Sequence, residues 1–464
     1  MNTNRHLNKP RLTPAFITGL MLFVAGCSAV TEARKAQDAT ILLPGERTVK
    51  ASEAGLTKDT TLSLKTAIDI AIKYNPSAAQ SRERLVSAKS QLESKQGSYY
   101  PQISASASAS RSATDSSNTS SNSTGLSLSQ YVYDFGKTGS LVRAYYYDAL
   151  AAEYDLTQTG NSIAYSVKEA YYNVLRQISA VRLAEETVRQ NEKYLEQARA
   201  FFEAGTKIKY DITKAEVNLG NAQLGLINAR NALFVNRQTL NNVLGLAENP
   251  EYKLEETPFD ISVADATTEA TETLFQKAKA NNPEIKAQES RVESASASVD
   301  NAVAALWPSL SLSASYNFSG SDFPLDWTRT VTALLTMDLF KGGQKMETIR
   351  SAAANLKSTR ASLSSLEQRL FLDITRARTQ MLDASQKLEV NRKILQQAEE
   401  NLDFIEQRYR TGKASAIELT DAQVSLTKAR ENIIQAQFDY LIARSALEKI
   451  VARPPLGFGQ EGNK

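Results

Sequence analysis

The chain has 464 residues, with 54 Lys and Arg against 51 Asp and Glu and a formal net charge of +3. So even a balance gives no electrostatic case for nucleic acid. His6 is the single His and Cys27 the single Cys, so an intrachain disulfide is excluded, and a chain cleaved just before Cys27 would keep no His for general-base or zinc chemistry.

The N-terminus opens with Arg5, Lys9 and Arg11, followed by an apolar run from Ala15 to Ala25. That run is shorter than the about 20 residues a membrane helix needs. It ends Val24-Ala25-Gly26-Cys27, which is similar to a bacterial lipobox, where small residues precede a Cys that is acylated. The competing reading is an ordinary signal peptide with an incidental Cys. Position, basic flank and uniqueness of Cys27 favour the lipobox. Residues 1–26 are then a lipoprotein signal peptide and 27–61 a lipidated linker. Several acyl chains on one residue anchor stably, at about 0.8 kcal/mol per buried methylene. Ser28, which is not Asp, implies by the same resemblance release to the outer membrane.

Beyond the linker the chain is written twice. An offset of 207 residues carries Asn75-Pro76 onto Asn282-Pro283, Pro101 onto Pro308, Gly205 onto Gly412, and Ala215, Ala222 and Ala229 onto Ala422, Ala429 and Ala436. Such a register marks a tandem duplication. The repeats are placed at 62–246 and 268–453, joined by a linker over 247–267 and followed by a tail over 454–464. Each is expected to read helix, strand, loop, strand, very long helix, turn, helix.

In the first repeat a helix is expected over 63–97. Alternation of Ile103, Ala105, Ala107 and Ala109 with Ser predicts a strand over about 100–111. A Ser/Asn/Thr-rich stretch over 112–123 reads as an exposed loop, and a second strand follows over about 125–134. The second repeat predicts strands over about 308–318 and 329–340. Period 2 over about ten residues suits a membrane β-strand; a soluble hairpin is the alternative. Four strands are too few to close a barrel alone, so they require partners from other chains or a packed helix.

After each second strand comes a helical stretch of about 60 residues, roughly 90 Å long at the α-helical rise. Val167, Val174, Val181, Val188, Leu195 and Phe202 lie seven apart, as do Ile374, Met381, Leu388, Leu395, Leu402 and Tyr409. A strict apolar heptad makes a coiled-coil seam. Turns are expected at Gly205 and Gly412, where Gly accepts the left-handed conformation of a helix C-cap. The returning helices carry Leu219, Leu226, Leu233 and Leu240 beside an Ala row, repeated as Leu426, Ile433, Tyr440 and Leu447 beside Ala422, Ala429, Ala436 and Ala443. These rows read as packing rather than as a ligand site.

The whole pattern resembles the TolC family of outer-membrane factors. Leu62-Ser63-Leu64-Lys65-Thr66-Ala67 with Asn75-Pro76 is similar to the family's opening helix, and Tyr99-Tyr100-Pro101-Gln102 to its helix-to-strand step. Gln130 to Gly136 and Phe340-Lys341-Gly342-Gly343 are similar to its strand ends, and Phe202-Glu203-Ala204-Gly205 and Tyr409-Arg410-Thr411-Gly412 to its periplasmic turns. The resemblance covers residues 60 to 453. It implies a mainly α fold with a membrane β-barrel portion: a homotrimer whose four strands per protomer build a 12-stranded barrel above an α-helical tunnel. It further implies a passive export duct in the outer membrane, reaching into the periplasm and meeting a periplasmic adaptor and an inner-membrane pump of the proton-coupled RND or ATP-driven ABC class. Clients would be drugs or unfolded protein. No catalytic residue, metal or cofactor is implied beyond the covalent lipid on Cys27.

The resemblance also implies a gate at the helical tips. Its carboxylates fall on Glu418 and Asp421, three residues apart and thus on one helix face; crowding of like charges would raise carboxyl pKa values and attract cations. A Tyr-to-Asp contact falls on Tyr409 and Asp211. An assisting Arg of the best-known members falls on Ala414, a departure for which Lys413 or Arg410 could compensate. Two other classes compete. A structural coiled-coil envelope protein or adhesin stalk fits the heptads and fits the alternating segments badly. A periplasmic enzyme lacks His, Cys, phosphate loops and nucleophile elbows.

Overall fold

A computed structural model of the chain describes residues 55–56, 60–115, 117–206, 208–246, 250, 252–256 and 269–451. The signal peptide, Cys27, most of the inter-repeat linker and the tail lie outside the described residues. In chain order the elements are β1 (Thr61–Leu62), α1 (Leu64–Tyr74), α2 (Pro76–Gln96), β2 (Gln102–Thr114), β3 (Ser117–Tyr133), α3 (Lys137–Glu203) and α4 (Lys209–Leu244). There follow β4 (Lys253–Leu254), α5 (Thr271–Asn281), α6 (Pro283–Ala304), β5 (Ser309–Gly320), β6 (Asp326–Thr336), α7 (Gln344–Arg410) and α8 (Ala416–Ile450).

The long helices α3 and α7 each hold 67 residues, about 100 Å at 1.5 Å per residue. Both start behind a glycine with positive φ, Gly136 at 84° and Gly343 at 82°, a conformation that costs glycine nothing. Their seams are apolar as the heptads require. Val167, Val174, Leu195, Ile374, Met381, Leu388 and Tyr409 are buried, whereas Phe202 is exposed.

The opening helix is not continuous. It breaks at Asn75, and its duplicate breaks at Asn282. Proline supplies no N–H and disfavours helical geometry in the residue before it, so Pro76 and Pro283 begin new helices instead of continuing old ones. Asn75 is extended at ψ 129°. Its backbone N–H closes α1 on the carbonyl of Ala71, and its Oδ1 caps α2 by accepting from the Ser77 N–H at 2.8 Å. Its Nδ2 then donates to the carbonyl of Val243 in the last turn of α4 at 2.8 Å. Asn282 does the same between α5, α6 and α8, with a 3.4 Å reach to Ile450 O. Thus α2 stands on the end of α4, and α6 on the end of α8. Two stacked columns alternate with two unbroken helices.

This level also holds the main core. Leu62, Ala67, Ala71, Val167, Leu240, Leu244 and Tyr252 pack around Tyr171. The buried Tyr171 hydroxyl lies 2.9 Å from Leu62 O and 2.8 Å from Glu255 O, tying together β1 and β4, which pair in parallel. That two-stranded belt was not expected from the sequence. Two residues per strand carry too little pattern to read.

Strands β2, β3, β5 and β6 form one antiparallel sheet in that order, open at both edges in a single chain. Residues 112–114 and 117–123, expected to be part of a loop, are strand instead. β2 and β3 stay paired from Gln102↔Ser129 to Thr114↔Ser117, a tight hairpin. Ladder hydrogen bonds satisfy backbones whatever the side chains, so Ser, Thr and Asn extend the strands with no apolar face to bury. The second hairpin departs less, but Met337 and Leu339 lie past the end of β6. The register aligns Ile103, Leu128, Ala314 and Val331 on one face and Ser104, Ser127, Ser315 and Thr330 on the other.

Asn75→Ala is expected to lower stability by about 1–2 kcal/mol, the scale of a lost N-cap. Asn282→Ala should cost less, because its cross-column contact is longer. Denaturant midpoints of the detergent-solubilised protein check this order; equal and negligible losses would remove the junction from the account.

Candidate functional site

In the lower part of the molecule α3 packs against α4 and α8, and α8 against α7. The order across the wall is α4, α3, α8, α7. The tips are closed by left-handed glycines, Gly205 at φ 72° and Gly412 at φ 73°. The N–H of Thr206 reaches Phe201 O at 3.0 Å, and that of Lys413 reaches Arg408 O at 2.8 Å; both are Schellman closures.

Tyr409, at the end of α7, is buried with Ala414 and Leu419 and packs edge-on against Phe201 with centroids 6.2 Å apart. Asp211 is buried in the first turn of α4 and accepts from the Ile208 N–H at 3.2 Å. Burial, and then the nearby Asp211 carboxylate, push the Tyr409 hydroxyl above its ordinary pKa. The fold therefore brings Tyr409 and Asp211 together from different hairpins. Ala414 is 5% exposed in the same apolar cluster, a setting that suits a methyl group.

Glu418 and Asp421 are exposed at the start of α8. Glu418 is the third residue of a capping box. Its Oε1 accepts from Ser415 N at 3.2 Å and from Ser415 Oγ at 3.0 Å, while its own N–H donates to Ser415 Oγ. The Ser415 backbone, then its hydroxyl, then Arg408 hold the Glu418 carboxyl below its usual pKa. Within one chain this opposes the upward shift expected from crowding. The cap therefore strengthens the tip above the ordinary carboxyl range and fades as pH falls through the lowered value.

Other tip and wall contacts were not anticipated. Tyr194 of α3 donates to Glu406 of α7; burial, then Glu406, push its hydroxyl up to about 12. Asn218 of α4 donates to Thr420 of α8 at 3.2 Å. Further up, Arg430 meets Glu186 at 2.9 Å, Arg176 meets Asp439 at 3.5 Å, and Lys168 meets Glu448 at 2.9 Å. Apolar seams close each hairpin, and both apolar contacts and these polar pairs join one hairpin to the other. Tyr194 sits beside seam residue Leu195, where an aromatic body with a polar head was the available signal; its partner 212 residues away was not readable.

The family model for outer membrane efflux proteins matches residues 67–246 and 274–453. The chain belongs to that family. Outer membrane efflux protein BepC of Brucella suis biovar 1 is 25% identical over 425 residues, 89% of each chain. Outer membrane protein TolC of Vibrio cholerae serotype O1 is 24% identical over 312 residues, 65% of this chain and 69% of that one. A crystal structure of CusC superposes with a TM-score of 0.76 at 19% identity, covering 85% of this chain and 93% of that one; this is a likeness of fold. Family membership places the β-sheet in the outer membrane and the long helices in the periplasm. No helix among the described residues is long and apolar enough to cross a membrane.

Two expectations follow for the tip. Tyr409→Phe and Tyr194→Phe should each raise the ion conductance of reconstituted channels in planar bilayers; native conductance in both would mean these hydroxyls hold nothing shut. Ser415→Ala should speed amide exchange over residues 415–420 at neutral pH, while the native chain shows the same loosening at acid pH. Identical exchange in the two would remove the cap from the tip.

Proposed function

We propose that three copies close head-to-tail into a passive efflux duct of the outer membrane. The carrying observation is that each chain is open at matching edges on two levels. In the sheet, β2 and β6 are the edges, and in four antiparallel strands the first and last run oppositely. β6 of one copy can therefore extend to β2 of the next in the same antiparallel sense, giving an even-stranded barrel with no bare backbone facing lipid. In the helical wall α4 and α7 are the edges, and both expose apolar side chains away from their hairpin partners. Val217, Leu224, Phe234 and Val235 lie on α4, and Val390, Ile394 and Phe404 on α7. A heterologous contact of this kind generates a closed ring.

The repeats over 62–246 and 268–453 supply equivalent halves of each copy's share of that wall. An inner-membrane pump of the RND or ABC class, reached through a periplasmic adaptor, drives transport, and no cofactor or catalytic step is needed in the duct. Small toxic compounds are the favoured clients, supported by the efflux naming of BepC. Cys27 carries the lipid anchor. Tyr409 and Asp211 hold the tips together, and Glu418 and Asp421 present negative charge at the entrance.

A deletion strain should become more susceptible to antibiotics and dyes with an unchanged secretome; the reverse outcome assigns the duct to protein secretion. In bilayers, Glu418→Gln with Asp421→Asn is expected to reduce cation over anion permeability, seen as a reversal potential closer to zero under a salt gradient. A native reversal potential in the double variant rejects the charged entrance.

A further inference from the structure

Strand alternation and the register sort the sheet into two faces. One is rich in hydroxyls. The other carries Ile103, Leu126, Leu128, the residues from Leu310 to Phe318 at every second position, and Val331, Ala333 and Leu335. This apolar face meets lipid. From Leu310 to Phe318 it spans about 26 Å along the strand at 3.3 Å per residue. Tilt shortens that along the membrane normal to about 20 Å, within the thickness of an outer-membrane apolar band. Phe318 and Trp327 are paired across the sheet at the end far from the helices. They mark the outer headgroup boundary, where aromatic girdles lie.

Among the described residues of this face two are charged, Arg111 and Arg329. Neither is paired with a carboxylate among those residues. Asp326 lies close in sequence but on the opposite face, opposite Ser319. Arg329 stands one rung inside the boundary, opposite Tyr316. Its guanidinium carbon lies 4.8 Å from the centroid of the Trp327 ring, so the side chain runs outward toward the headgroups. Trp327 in turn stacks on Tyr316 at 6.3 Å and 22°, and Tyr316 meets Phe318 edge-on at 5.0 Å. An arginine on a lipid-facing row is unfavourable unless it reaches the headgroup layer. Once there, its planar fork matches a phosphate better than it matches water. The aromatic bracket holds that fork at one height before any ligand arrives.

We propose that Arg329, braced on Trp327 and Tyr316, is a binding site for the phosphate of a phosphorylated lipid headgroup in the outer leaflet. The site rests on the reading of the sheet as part of a closed outer-membrane barrel. Arg111 is a built-in comparison. It faces the same way but pairs with Ser120, beyond the end of β5, and has no aromatic brace.

The test uses full-length protein in nanodiscs of phosphatidylcholine carrying lipid A, first checked by mass for a trimer. Lipid A retained per trimer after gel filtration is measured for native protein, Arg329→Gln, Arg329→Lys and Arg111→Gln. The expected result is a loss of about tenfold for Arg329→Gln, as for a removed charge-assisted pair, with partial rescue by Lys and native retention for Arg111→Gln. Dephosphorylated lipid A should be retained by native protein as poorly as lipid A is by Arg329→Gln. Native retention by Arg329→Gln, or equal retention of the dephosphorylated lipid, overturns the site. Inorganic phosphate raising the trimer's melting temperature as much as lipid A does would make it a free-ion site and overturn the lipid assignment. Should Arg329→Gln fail to assemble, the two lipids compared on native protein decide alone. A monomer in the first step overturns the barrel reading, and this site with it; a trimer with unselective retention overturns this site only.

Discussion

The amide side chains of Asn75 and Asn282 hold the two halves of the molecule in line. A helix end leaves carbonyls without partners, and stacking two helices end to end would bury those of the lower one. Each Asn meets this problem by capping the upper helix with its oxygen and donating to a last-turn carbonyl of the lower helix with its nitrogen. The columns therefore continue in direction while the chain itself enters and leaves between them. Without that continuity the unbroken helices α3 and α7 would lack matched neighbours along their length, and sheet and tips would not share one axis.

Most of this architecture was legible because it is periodic. Seven-residue spacing gave the seams, two-residue spacing the strands, and the offset carrying Asn75 to Asn282 the duplication. What escaped was aperiodic or compositional. The stretch 112–123 reads as loop by its Ser and Asn content, yet pairing with β2 needs no apolar side chain. The break at Asn75 was visible as Asn-Pro but was overridden by the helical pattern on both sides. At the tip, Tyr409, Asp211, Gly205 and Gly412 could be placed by family wording. The bond from Tyr194 to Glu406 could not, since it joins side chains brought together only by the folded wall. The resemblance implies a crowded gate carboxylate at Glu418; its engagement by Ser415 is a local capping motif, written in the sequence three residues away.

The two hairpins share a sequence pattern but not an environment. In the second, Leu419, Ala422, Leu426, Ala429, Ile433 and Ala436 are buried, because α8 lies between α7 and α3. In the first, Ala215, Leu219, Ala222 and Leu226 are only half-buried, because α4 is an edge. Duplication gave both helices the same rows, and position alone decides how much of each is used within a chain. The apolar surface left on α4 and α7 is what a neighbouring copy would cover.

The hydroxyl face of the sheet has a further consequence. Ser104 and Ser127 share a hydrogen bond at 2.7 Å, and Ser108 and Ser123 at 2.8 Å, so these side chains bind one another as readily as they bind water. Between Asp326 at its outer end and the helices, a wall of such hydroxyls holds no proton that leaves or arrives in the physiological range, and it offers a passing solute neither a fixed field nor a greasy surface on which to rest. Its friction is the exchange of one weak hydrogen bond for another. Such a lining treats cation, anion and zwitterion alike, and leaves discrimination to the distant end of the molecule where carboxylates and tyrosines gather.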